Sequence, residues 1–174
     1  SIQDFILDQQ PRMANLYLSK FASLMRMIIE NSRKEYTLLS EEIEFLKLYI
    51  SLEKLRLNEE LEVDFSISPE TDVNNIQIPT MLLQPIIENA IKHGLSPKKS
   101  DRFLSVHFNA QGGKTLTCTI EDNGIGRNLS KSQGNVVSAN RSSVGLKNIH
   151  ERLELLFGSG ENIRIIDLVD ENRQ

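Results

Sequence analysis

The first sixty residues carry a helical period. Ala14, Tyr17, Phe21, Leu24 and Ile28 recur at alternating steps of three and four, the spacing of an a/d seam. Pro11 suits a first helical turn, where no N–H is needed, and the polar run from Asn31 to Tyr36 marks the end. The pattern predicts a second helix from Ser40 as N-cap, with Glu41 and Glu42 complementing its positive end. Phe45, Leu48, Leu52 and Leu55 form one stripe, and Leu46, Ile50 and Leu57 widen it. Two long amphipathic helices with a short link predict an antiparallel hairpin. Its core is too small to stand alone, so it pairs with a second copy or docks on the rest of the chain.

After Asn58 the period falls to two. Leu61, Val63, Phe65 and Ile67 alternate with polar residues and predict a half-buried strand. Ile76 and Ile78 suggest a short strand stopped by Pro79. Thr80 to Gly94 reads as a helix with Gly94 as C-cap. Phe103–Phe108 and Leu116–Ile120 read as strands joined by a turn at Gly112-Gly113. The polar tract from Ser130 to Ser143 reads as a mobile loop, Val144–Phe157 as an amphipathic helix, and Ile163, Ile165 and Leu168 as a last strand. Strands with helices on one side of a mixed sheet predict an α+β fold, a two-layer α/β sandwich.

Composition narrows the class only modestly. The 174 residues fit one or two small domains, and 39% apolar with 25% charged residues is ordinary for a soluble domain. A net charge of −4 argues against a general nucleic-acid binder. No apolar run reaches the length of a membrane span, and Ser1-Ile2-Gln3-Asp4 does not open a signal peptide. The single Cys118 forbids an internal disulfide and zinc-ligand pairs, which suits a reducing, cytoplasmic setting. The chain opens without Met and inside a helical pattern, as a piece of a larger protein does.

Three segments carry candidate chemistry. Asp122 ends a strand and precedes Asn123-Gly124-Ile125-Gly126. A buried carboxylate there can only accept hydrogen bonds, which suits the exocyclic amine of adenine, and the glycines allow a ring to approach the backbone. A plain Asn-Gly turn has the same appearance. On the preceding helix Asn89, Lys92 and His93 share a face, with Glu88 about 100° round the axis. An amide oxygen suits Mg²⁺, a lysine neutralises phosphate, and a glutamate accepts a proton. A solvated helix end with cations against its dipole would also look like this. Gly145-Leu146 opens a helix after a loop, where free N–H groups suit phosphate, although an ordinary loop-to-helix junction fits equally. No P-loop occurs, so a nucleotide must be held another way. Cys118, His107 and His150 read as structural residues.

In order and spacing these segments resemble the ATP-binding domain shared by gyrase, MutL and sensor histidine kinases. Ile87-Glu88-Asn89-Ala90-Ile91-Lys92-His93-Gly94 is similar to its N box, Asp122–Gly126 to its first glycine box, and Gly145–Ile149 to its second. Ile78-Pro79, Leu83-Gln84-Pro85, Gly145-Leu146-Lys147-Asn148-Ile149-His150-Glu151-Arg152-Leu153 and Tyr49-Ile50-x-x-Glu53-x-x-Arg56 resemble the LytS/YehU-type bacterial sensor histidine kinases over nearly the whole chain. The resemblance implies a Bergerat-type ATP-binding domain over residues 61–174, preceded over residues 1–60 by part of a helical dimerisation and phosphotransfer region. It implies ATP and Mg²⁺ as cofactors: Asn89 on the metal, Lys92 and His93 near the phosphates, and Asp122 on the adenine amine with Ile125 against the ring. Gly124 and Gly126 would shape the pocket, residues 127–143 would be a lid, and Gly145 and Leu146 would lie by the phosphates. Glu88 is the implied catalytic base.

The implied activity is that of an ATP-dependent protein histidine kinase passing its phosphate to a response regulator of LytTR type. The implied location is cytoplasmic, in a kinase anchored in the inner membrane through segments outside this chain. A homodimer through Ala14–Ile28 and Phe45–Leu57 is expected, and no nucleic acid. The phosphoacceptor of this family lies in an H-F-x-F-N-x-L-N-like segment, which none of the three histidines here matches. The chain therefore reads as a kinase fragment unable to phosphorylate itself. A degenerate nucleotide-binding scaffold is disfavoured because the boxes are intact. A serine kinase of an anti-sigma system and a gyrase-like hydrolase are disfavoured by the hairpin.

Overall fold

The computed structural model describes residues 11–58, 60–112, 115–126, 136–158 and 163–166, with side chains of the helix at 136–157 described from residue 147 onward. The order is α1 (Pro11–Asn31), β1 (Tyr36–Leu38), α2 (Leu39–Arg56), β2 (Leu61–Ile67), β3 (Gln77–Pro79), α3 (Gln84–Asn89) running into a π-helical turn (Ala90–Leu95), β4 (Arg102–Gln111), β5 (Thr115–Asp122) and α4 (Val136–Phe157). The fold is α+β. β4 lies central in a mixed sheet, parallel to β2 and antiparallel to β5. A separate antiparallel pair joins β1 to β3, with Thr37 opposite Ile78.

The period-two strands form as their pattern dictates. Leu104, Val106, Phe108 and Ala110 of β4 are buried, while the residues between them face the other side of the sheet. Cys118 of β5 packs partly buried against the same core, and burial pushes its thiol up to about 12, so it is inert packing.

The helices differ more from their sequence pattern. α2 is buried nearly all round: Leu39, Ile43, Phe45, Leu46, Ile50 and Leu52 all join one cluster with Leu104, Val106 and Phe108. The Phe45–Leu57 stripe is therefore spent inside the chain and is not the expected dimer surface. The helix also begins two residues early. Leu38 is its N-cap and Ser40 is not. The first amides, Leu39 N–H and Ser40 N–H, donate instead to Ile76 O (2.8 Å) and Val73 O (2.9 Å), so neighbouring backbone replaces a capping side chain.

The helix expected over Thr80–Gly94 starts at Gln84, with Pro85 in its first turn. It does not stop at Gly94: the chain widens into the π turn, which runs to Leu95, and Ser96 N–H donates to Ile91 O at 2.7 Å. Of the expected loop Ser130–Ser143, residues 130–135 lie outside the described residues, and 136–143 are helical. No glycine or proline interrupts Val136–Val144, so a helix nucleated by the apolar stripe at Ile149 and Leu153 extends backwards through it. The expected last strand is also absent where described: residues 163–166 pair with nothing as a ladder, and Leu168 lies outside the described residues.

Candidate nucleotide site

The chain end of β5 and the π turn meet directly. Ile125 N–H donates to Gly94 O at 3.0 Å. Asp122 Oδ1 accepts the Gly124 N–H at 2.9 Å, and no described donor meets Oδ2. The approach is close enough that only glycine fits. A Cβ on Gly94 would lie 2.5 Å from Asp122 Oδ1, and one on Gly124 would run into the Gly94 backbone. Gly94 thus serves close packing, not helix capping; its φ is not positive, whereas that of Gly126 is +74°.

Asp122 itself is open to solvent, not buried as the sequence reading had it. Protein atoms nonetheless crowd its carboxyl from one side. Burial pushes its pKa up from 3.8, opposed by the Gly124 N–H and by the charge of Lys98. Lys98 was not anticipated from sequence. Its ammonium donates to Asn123 O (2.8 Å) and Asp101 O (2.6 Å), while Asn123 Oδ1 accepts the Phe103 N–H at 2.8 Å. The turn is thereby tied to both flanking segments.

The helix brings the remaining candidates alongside. Glu88 and Asn89 are half-buried in α3, and His93 is half-buried in the π turn. The Asn89 Nδ2 group is buried without a hydrogen-bond partner. Lys92 forms an ion pair with Glu88, with 47% and 35% of the two side chains exposed, so the would-be base is neutralised by a neighbouring cation. Tyr49 on α2, unremarked in the sequence beyond its motif, lies near Glu53 and Glu88. Its hydroxyl is buried and unpartnered, and burial holds its pKa far above the usual range.

The second glycine segment is placed differently from expectation. Gly145 and Leu146 lie inside α4 and do not open it, because the helix begins at Val136. Residues 127–135 of the expected lid lie outside the described residues. α4 still packs against α3, and Arg152 reaches Thr80 O at 2.8 Å.

The residues present fit Mg-ATP. Asp122 offers an acceptor oxygen that no described donor meets, and the helix packed against its turn carries the Asn89 amide and the Lys92 ammonium. Among the described residues no three His, Cys, Asp or Glu side chains gather as a metal cage. A separate open groove of about 540 Å³ lies between α1 and α2, lined by Lys20, Arg26, Glu44, Lys47 and Ser51. It is remote in sequence and chemistry from Asp122 and Asn89 and is not the candidate site.

A histidine kinase family model matches residues 1–61. The chain is 30% identical over 160 residues to the sensor histidine kinase YpdA of Escherichia coli (strain K12), covering 90% of this chain and 27% of that protein. It is 31% identical over 153 residues to the sensor histidine kinase YesM of Bacillus subtilis (strain 168), covering 85% and 25%. It is 25% identical over 166 residues to the sensor protein kinase HptS of Staphylococcus aureus (strain USA300), covering 92% and 31%. The chain thus spans between a quarter and a third of these relatives' length. These matches agree with the LytS/YehU-type wording of its motifs: the chain is similar to sensor histidine kinases over most of its length.

Proposed function

We propose that this chain is the cytoplasmic catalytic part of a sensor histidine kinase. In this reading residues 61–174 form a Bergerat-type two-layer sandwich that binds Mg-ATP, and residues 1–60 belong to a dimerisation and phosphotransfer region. The observation that carries it is the Asp122 carboxylate, one oxygen open, set against Gly94 and Gly124 at the end of the helix bearing Glu88 and Asn89.

Each residue has a chemical part. Asp122 Oδ2 accepts the adenine amine, Ile125 lies against the ring, and Gly124 and Gly126 keep the wall low. Asn89 would hold Mg²⁺ by its amide oxygen, and the metal would neutralise phosphate charge. Lys92 and His93 stand near the phosphates. The Lys92–Glu88 pair is solvated, and such pairs contribute only about 0–1 kcal/mol. Lys92 can therefore turn to phosphate and leave Glu88 free. In the transfer a histidine nitrogen attacks the γ-phosphorus, ADP leaves, and Glu88 takes the histidine proton. Contact of Gly145 and Leu146 with phosphate requires the turns of α4 before them to open, since their amides lie within the helix.

The acceptor histidine in this reading lies outside these residues. His93 is in the π turn, His107 in β4, where Ser66 Oγ lies 2.9 Å from its Nδ1, and His150 in α4. The phosphate then passes to a response regulator, of LytTR type by the family wording. Among the described residues no helix is long and apolar enough to cross a membrane. Titration calorimetry with Mg-ATP tests the reading: heat of binding at one site per chain is expected, and its absence at millimolar nucleotide overturns it.

The dimer surface falls on α1. Leu18, Phe21, Met25 and Ile29 are 39–57% exposed and recur at steps of three and four. α1 faces α2 with Leu24, so this outward stripe is the apolar surface left for a second copy. Phe21→Glu is expected to convert a dimer to monomer in light scattering; an unmodified chain that stays monomeric at high concentration contradicts the surface.

A further inference from the structure

The helix carrying Glu88 and Asn89 is anchored separately at its two ends. At the far end Arg102 donates from Nε to Leu95 O (3.1 Å) and from Nη2 to Lys98 O, and Ile125 N–H donates to Gly94 O. At the near end the anchor is a fully buried carboxylate from the hairpin. Glu42, on α2, accepts the Met81 N–H on Oε2 (3.2 Å) and the Leu83 N–H on Oε1 (3.3 Å). Met81 has φ +57°, a conformation disfavoured for a residue with a Cβ, and Leu83 is the N-cap of α3 without a side-chain cap. Glu42 thus satisfies the backbone where the chain is strained and where the helix begins.

Other contacts make the same region one piece. Thr80 N–H donates to Glu35 O at 3.1 Å beside the β1–β3 ladder. Arg152, from α4, donates to Thr80 O (2.8 Å) and Glu35 O (3.4 Å), and its charge favours ionised Glu42 against the cost of burial. The turn of the hairpin, the segment before α3 and the helix that contains the second glycine segment therefore meet at two side chains, Glu42 and Arg152. Neither lies among the residues given a part in nucleotide binding.

We propose that Glu42 and Arg152 form a latch through which the hairpin turn sets the position of Glu88 and Asn89, making both positioning residues for the Mg-phosphate end of the site. This rests on the nucleotide reading above. Because the far end of the helix has its own anchors, loosening the latch displaces Asn89 more than Gly94 and Asp122. A hairpin movement would thus reach the phosphates before the adenine.

Glutamine at position 42 has one acceptor oxygen and turns an NH₂ toward the second amide, so it can satisfy only one of the two. Arg152→Met removes the second half, and with it the charge that favours ionised Glu42. The test compares Mg-ATP with adenosine, which lacks phosphates, as ligands of the unmodified chain, Glu42→Gln, Arg152→Met and the double variant. Mg-ATP affinity is expected to fall about tenfold in each single variant, the scale of a small misplacement of a binding group, while adenosine affinity stays within about twofold. The double variant is expected to be no weaker than the weaker single one, since both act through one unit. Unchanged Mg-ATP affinity, equal loss of both ligands, or additive losses overturn the latch alone. An unmodified chain that binds neither ligand overturns the nucleotide reading and the latch with it.

Discussion

Asp122→Asn is expected to weaken Mg-ATP and adenosine alike, by about a hundredfold, without lowering the melting temperature. The carboxylate accepts from Gly124 N–H on one oxygen and is open on the other. An amide can accept on its oxygen only, so it meets either Gly124 or the adenine amine with a second donor. A lost charged acceptor facing a donor costs about 3 kcal/mol, which is about two decades in affinity. Stability behaves differently. Burial raises the pKa of Asp122 above 3.8, so the stability belonging to its neutral form is full below 3.8 and is lost as pH rises through the raised value. At neutral pH that loss is already complete, and a neutral amide avoids it. Calorimetry and thermal unfolding on the same sample check both halves; a variant that binds normally, or one that melts well below the parent, contradicts this account of Asp122.

Asn89→Ala is expected to separate the two ligands. Mg-ATP should weaken about tenfold or more, as when one charge-assisted contact is lost, while adenosine binds as before. Chelating the metal should remove most of the difference between parent and variant. The fold should tolerate the change, because Nδ2 is buried and unpartnered, and deleting a group that cannot be satisfied costs little. Equal weakening of adenosine would place Asn89 in packing and not at the metal.

The strands and the hairpin helices were legible because their side-chain periods, two and three-to-four, are written directly in the residues. β2, β4 and β5 stand where alternation predicts them. What failed to show are features that leave no period. The π turn at Ala90–Leu95 inserts one residue into a helical repeat without a marker residue, so Gly94 looked like a cap when it is a close-packing position against Asp122. Glu42 reads from sequence as a first-turn acid complementing the helix end; its two amide partners come from thirty-nine and forty-one residues away, which no local pattern reports. The start of α4 was missed because Ser and Asn favour loops by propensity, a weak term that a helix packed against α3 overrides. The candidate site residues were chosen from their chemistry and the family wording. The structure adds which of them touch: Glu88 with Lys92, and Gly94 with the Asp122–Ile125 turn.

The most direct measurement of the central claim is a backbone-amide NMR spectrum of the chain with and without Mg-ATP. The account predicts the largest changes at Asn89, Gly94, Asp122, Gly124 and Ile125, with little change in the α1–α2 groove at Lys20, Arg26 and Lys47. A saturating nucleotide that leaves the first group unmoved, or that shifts the groove instead, would contradict it.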